Sequence, residues 1–283
     1  MVLSAWLRNL GSALKTTSRR LTRSTPAAIP VDLWQNTLAR YPFLSCRPEA
    51  DRHQLKQLAE LFLQQKEFHG AQDLVVSDAM AVAIAAQASL PLLNMGAPSS
   101  ALQWYDDFVG IVVHPAEVIA RRETIDETGV VHHYHEVVSG EAMAGGPVTL
   151  SWQDVAQAGQ WAEQGYNVVI HEFIHKMDMR TGEPDGCPPL PPGFMGTAEA
   201  AAGKALWRSA ITSAWQDFRE KVIIAERFGG TPTWLDPYGA ESPEEFFAVT
   251  SEAYLVNRER FEADFFALVP VYDAFFRPAI PAG

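Results

Sequence analysis

Two histidines and a glutamate fall within five residues of one another in NVVIHEFIHKMDM, residues 167–179: His171, Glu172 and His175. On an α-helix, residues four apart are separated by about 40° around the axis, so both imidazoles project from one face and can ligate one ion. Glu172 lies about 60° from His175, near enough to reach a water on that ion but poorly placed to ligate it. Zinc suits this pair because it takes neutral imidazole and can leave one position open for water, whose pKa it lowers towards ~7. The H-E-x-x-H pattern alone is short enough to arise by chance. Val168, Val169, Ile170, Phe173, Ile174 and Met177 surround it with apolar side chains. The helix is therefore expected to be deeply packed, and polar groups held there need partners that a metal can provide.

A zinc site of this kind wants a third protein ligand. The extended form H-E-x-x-H-x-x-G-x-x-H fails, because Asp178 and Thr181 occupy its glycine and histidine positions. A carboxylate on a later helix is the natural source. Glu199 in GTAEAAAGKALW is one candidate, and Glu245 and Glu252 in YGAESPEEFFAVTSEAYL (238–255) are others. Spacing does not choose among them. Asp178 could accept a ring N–H and fix a histidine tautomer, and His53, His69 and His114 are expected to be structural. Gly203-Lys204 lacks the glycine spacing of a P-loop and is followed by Ala205, and no G-x-S-x-G occurs, so nucleotide hydrolysis and serine-hydrolase chemistry have no support.

The elements that must position these residues read as α+β, mainly helical with a small, mostly antiparallel sheet. DRHQLKQLAELFLQQKEF (51–68) has helical spacing, and Ser77-Asp78 caps an alanine-rich helix from Ala79. FVGIVVHP (108–115), VVHHYHEVV (130–138) and GPVTLSW (146–152) read as strands. A helix enters near Asn167, and the proline-rich TGEPDGCPPLPPG (181–193) ends it. Helices return from about 198 to 228 and from Pro243 onwards.

The 283 residues carry 22 bases and 34 acids, a net charge of -12, which disfavours direct nucleic-acid binding. Residues 1–30 hold five bases (Arg8, Lys15, Arg19, Arg20, Arg23) and no acid, leaving 17 against 34 in the rest. That segment reads as a basic, flexible tail, and residues 31–283 as a single domain. No uninterrupted apolar run suits a secretory signal or a membrane span. Two distant cysteines, Cys46 and Cys187, fit a reducing, cytoplasmic setting.

AELFLQQKEF (59–68), IAAQASLPLL (84–93), GPVTLSW, NVVIHEFIHKMD and YGAESPEEFFAVTSEAY occur in this order along most of the chain. Together they make it resemble the Mlc titration factor A family of zinc-dependent metallopeptidases, whose site is similar to that of the lethal-factor class of toxin peptidases. The resemblance implies one Zn2+ in a gluzincin-type site, with His171, His175 and Glu245 as ligands and Glu172 as general base. It implies that Tyr238, seven residues before Glu245, faces the developing oxyanion. It also puts a further histidine near the metal at the position of His132. Ligation by His132 would block the open site and leave the enzyme latent.

GPVTLSW, with Gly146, Pro147, Val148, Thr149 and Leu150, is expected to be the edge strand along which an extended peptide substrate adds. The function expected is metal-dependent, aminopeptidase-like peptide hydrolysis. The family's name comes from sequestering a DNA-binding repressor of sugar uptake. The alternative is therefore a regulatory protein that captures such a repressor, with zinc structural or regulatory.

Overall fold

The computed structural model describes residues 28–125, 131–138 and 140–278, with the backbone alone for 118–125 and 131–138. The basic tail expected over residues 1–30 thus lies, but for its last three residues, outside the described part. In chain order the elements are α1 (Val31–Arg40), α2 (Pro42–Ser45), α3 (Glu49–Gln65), β1 (Glu67–Gly70), α4 (Asp78–Ala88) and α5 (Pro98–Ala101). There follow β2 (Gly110–His114), β3 (Val118–Ile125), β4 (Val131–Val138), β5 (Gly140–Ala142), β6 (Val148–Ser151) and α6 (Trp152–Trp161). The last are α7 (Val168–Asp178), α8 (Ala200–Phe228), α9 (Pro243–Val256), α10 (Arg258–Asp264) and α11 (Val269–Phe276). The architecture is mainly helical around a small mixed sheet. No helix among the described residues is long and apolar enough to cross a membrane.

The four-stranded sheet runs β1-β2-β6-β5, and β3 and β4 form a separate antiparallel pair. The mostly antiparallel sheet expected from sequence does not form. β1–β2 and β2–β6 are parallel, and only β5–β6 is antiparallel. Long connections make this possible: α4 and α5 lie between β1 and β2, and the β3–β4 pair and β5 lie between β2 and β6. β1 itself occupies residues whose spacing reads as the end of a helix. α3 stops at Gln65 because Lys66 turns extended and the Glu67 N–H donates to Val109 O at 2.9 Å.

The stretch Gly146–Leu150 is likewise not an edge. β6 is flanked on both sides, its Val148 and Leu150 fully buried. The chain turns back through residues 143–147 and lays β5 along the side of β6 that the sequence leaves open. At that end of the sheet the outer strand is β5.

α7 runs through the core. Phe173, on the side away from the histidines, meets Tyr105, Phe62 and Phe108 at ring-centroid distances of 4.8, 5.5 and 5.8 Å. Truncating such a buried ring typically costs ~3–5 kcal/mol, so this cluster fixes where α7 lies.

Candidate metal centre

The start of α7 is set by Asn167, whose side-chain oxygen accepts the Ile170 N–H at 2.9 Å. From there the helix is buried on nearly every side, including Glu172, His175, Lys176 and Asp178. The fully buried Lys176 ammonium ion-pairs with Asp107 at 2.6 Å and donates to Met143 O at 2.8 Å. That bond anchors the β5–β6 turn to the helix that carries both histidines.

α9 packs against α7. Ser242 caps it, accepting the Glu245 N–H at 3.3 Å, and Pro243 takes the first helical position, where its missing N–H costs nothing. Gly186 lies against this turn with φ +74°, and a β-carbon on it would sit 2.7 Å from Pro243 O. Glu245, in the first turn, and Glu252, two turns later, both reach His171. Glu245 Oε2 lies 3.2 Å from His171 Nε2 and 3.2 Å from His175 Nε2. The two Nε2 atoms are 3.1 Å apart. Glu252, 1% exposed, places Oε1 2.8 Å from His171 Nδ1 and accepts the Asn167 N–H on Oε2 at 2.5 Å.

These residues fit a metal. An ionised Glu252 can only accept, so His171 Nδ1 must donate to it. A neutral His171 then turns the lone pair of Nε2 towards Glu245, another acceptor, and the contact is repulsive unless a proton or a metal ion lies between them. His171, His175 and Glu245 form the one group with metal-holding geometry among the described residues. A tetrahedral site with bonds of ~2.0–2.1 Å has ligand atoms about 3.3–3.4 Å apart, close to the separations here.

The carboxylates are driven in opposite directions. Burial pushes the Glu172 carboxyl up to about 7, against the pull of His171 and His175. Burial acts the same way on Glu245, but hydrogen bonds from both histidines win and hold it well below the usual carboxylate range. Burial raises Glu252 despite its bond with His171. For His171, burial would lower the pKa, yet its bonds with Glu245 and Glu252 raise it well above the ordinary value. A metal must therefore displace a proton from this ring on entry.

Glu172 owes its burial partly to a glycine. A β-carbon on Gly140 of β5 would lie 2.6 Å from its Cγ and 2.8 Å from its carboxyl carbon. Only a residue without a side chain lets the strand rest on this carboxylate. Tyr238, in the short 3-10 turn Pro237–Ala240, is oriented by its N–H donating to Asp236 at 2.9 Å, with its ring 6.1 Å from that of His171. A cavity of about 510 Å³ brings together His171, Glu172, His175, Tyr238, Glu245 and Glu252 with β5, Asp236 and Glu244.

Not every expected site residue is here. Asp178 does not hold a ring N–H. One oxygen accepts the Gly186 N–H at 2.7 Å, and the other has no hydrogen-bond partner among the described residues. The contact to a histidine falls instead to Glu252, which sequence placed only among candidate ligands. Glu199 is exposed, at the N-cap of α8, and lies outside the cavity. Residues 146–150 do not line the cavity; Gly140, Glu141 and Ala142 do. The backbone of His132 is paired with Thr124 in the β3–β4 ladder, and its side chain lies outside the described residues.

A family profile described as glucose-regulated metallo-peptidase M90 matches residues 14–277. It begins inside the basic N-terminal segment, ahead of the stretches that carry the resemblance. The chain is also 30% identical over 253 residues to Mlc titration factor A of Yersinia pestis (strain Pestoides F), covering 89% of this chain and 86% of that one. Mlc titration factor A of Yersinia pseudotuberculosis (serotype O:1b, strain IP 31758) matches with the same identity and coverage.

Proposed function

The chain belongs to the glucose-regulated metallo-peptidase M90 family, and from that premise we propose that it is a zinc-dependent, gluzincin-type peptidase acting on the ends of short peptides. The observation that carries the reading is the convergence of two imidazole nitrogens and one carboxylate oxygen beside a second, separate carboxylate, Glu172. Pure metal storage has no use for Glu172. Zinc held by His171, His175 and Glu245, one per chain, would act as a Lewis acid towards the peptide carbonyl and towards water. Glu172 takes the proton of the attacking water and returns it to the leaving amine, a role suited to a carboxyl raised to about 7 by burial. Tyr238 donates its hydroxyl to the oxyanion as it develops. β5, the outer strand beside Glu172, takes over the substrate-strand role that sequence gave to residues 146–150.

Aminopeptidase-like selectivity has support in charge. Beyond Glu172 and the carboxylates engaged with histidines, the described residues that line the cavity include Glu141, Asp236 and Glu244 and no lysine or arginine. A peptide's free ammonium is attracted there and its carboxylate repelled. Residues 31–283 act as one catalytic unit, in a cytoplasmic setting. His132 stays a candidate fourth ligand.

The experiment is metal content and peptide hydrolysis for wild type and Glu172→Gln. The expected result is one zinc in each, with hydrolysis in the variant reduced ~10²–10⁴-fold. Equal rates in the two proteins would remove Glu172 from the chemistry.

The name of the Yersinia relatives favours a second reading, in which the chain binds an Mlc-type repressor. Repressor capture that survives Glu172→Gln would leave both activities on one protein.

A further inference from the structure

Glu252 is not the end of the polar chain that begins at His171. Its Oε2 takes the backbone N–H of Asn167, and the Asn167 side chain is held in turn. Asn167 Oδ1 caps Ile170, while its Nδ2 donates to Gln87 Oε1 at 2.8 Å. Gln87, on α4, is fully buried, and its own Nε2 donates to Ala83 O at 3.1 Å. Asn167 and Gln87 are both 0% exposed, and neither lines the cavity. A buried amide costs stability unless it is hydrogen-bonded. Gln87 and Asn167, joined side chain to side chain, and Glu252, reached through the Asn167 backbone N–H, therefore form a buried network that succeeds or fails together.

We propose that this relay, Gln87–Asn167–Glu252, holds His171 in the one tautomer and ring orientation that aims Nε2 at the ligand centre, and so sets zinc affinity from outside the cavity. The proposal rests on the reading of His171, His175 and Glu245 as a zinc site. Each link has one arrangement open to it. Gln87 must present its oxygen to Asn167, because its nitrogen is committed to Ala83. Asn167 must then present Nδ2 to Gln87 and Oδ1 to Ile170, which fixes the turn and points its backbone N–H at Glu252. Glu252 accepts once from Asn167 and once from His171 Nδ1, leaving Nε2 unprotonated for the metal. All three are positioning residues, acting through His171.

The test is zinc affinity of the full chain, measured by competition with a chromophoric chelator well below the unfolding temperature. Wild type is compared with Glu252→Gln and Gln87→Met, and with Thr250→Val as a control. Thr250, buried on the same helix, bonds to Phe246 O and to Tyr272 rather than to the relay. A glutamine at 252 offers one acceptor oxygen to two donors, so affinity is expected to fall ~10–100-fold. Gln87→Met should lower it several-fold, while Thr250→Val loses thermal stability and binds zinc as wild type does. In parallel, NMR of the zinc-loaded protein should show the His171 Nδ1 proton exchanging with water faster in both relay variants.

Wild-type affinity in Gln87→Met, with or without lost stability, overturns the relay as a determinant of the metal site. If that variant does not fold, wild-type affinity in Glu252→Gln has the same force. A wild-type protein that binds no zinc fails differently, because it overturns the metal-centre reading itself and the relay with it.

Discussion

On one side of the cavity, α7 and α9 present His171, His175, Glu245 and Glu252 from largely buried positions, each held by a neighbour within 3.2 Å. On the other, β5 presents three half-buried residues, Gly140, Glu141 and Ala142, from the outer strand of the sheet. The two sides use burial for different ends. The helical side surrounds acceptors with other acceptors and needs a proton or a metal ion among them to make the arrangement favourable. The strand side contributes one charged side chain, Glu141, and brings backbone up to Glu172. Metal affinity should then belong to the helices, and rate to the strand.

The strongest break in that comparison is Glu245→Ala. It removes the carboxylate that, alone among the described residues, bonds to both imidazoles, so zinc affinity should fall by more than the ~10–100-fold typical of losing an outer partner. Zinc per chain after dialysis against a weak chelator checks this, with the exposed Glu199→Ala alongside as a variant expected to keep its metal. A Glu245→Ala protein that retains one zinc would move the third ligand elsewhere.

Gly140→Ala probes the strand side. The added methyl must displace either β5 or the Glu172 carboxylate, since it would lie within 2.8 Å of that group. Misplacing a reacting group by about 1 Å can cost ~10²-fold in rate. The expected outcome is one zinc per chain with peptide hydrolysis lowered on that order, mainly in kcat. Loss of zinc together with rate would mean that the two sides are not separable.

The helical side was the more legible in sequence, for a physical reason. Asn167 and Ser242 are local caps, and His171, His175, Glu245 and Glu252 repeat at whole turns of their own helices, so residue type and spacing carry their placement. Even there the assignment was incomplete. Spacing kept Glu245, Glu252 and Glu199 as equal candidates, because which glutamate meets Nε2 and which meets Nδ1 depends on how α9 crosses α7. The strand side was nearly silent. β5 is three residues long, too short for alternation to register, and β1 follows a helix with no breaker between them. Strand order is a property of long-range pairing, so a run such as GPVTLSW shows that it is a strand without showing what flanks it. Gly140 carried no signal at all, since its role is the side chain it lacks.

Asp178 offers the smallest and most local test, because it joins the helical side to the loop that crosses it. The carboxylate accepts the Gly186 N–H, and Gly186 in turn abuts the first turn of α9, so the end of α7 is tied to the start of the helix that carries Glu245. Burial pushes this carboxyl from 3.8 up to about 6, and the Gly186 bond only partly offsets the rise. A carboxyl raised in the folded state binds more protons there than in the unfolded chain, so stability falls as pH climbs from the unfolded value to the folded one. Between about pH 4 and pH 7 the metal-free wild type should therefore lose on the order of 2 kcal/mol relative to Asp178→Asn. The asparagine keeps an acceptor for Gly186 and has no proton to lose. Denaturant unfolding of both proteins across that range measures the difference. A gap between them that stays constant with pH would mean that Asp178 is solvated in the fold, and that the tie between α7 and α9 is looser than its geometry implies.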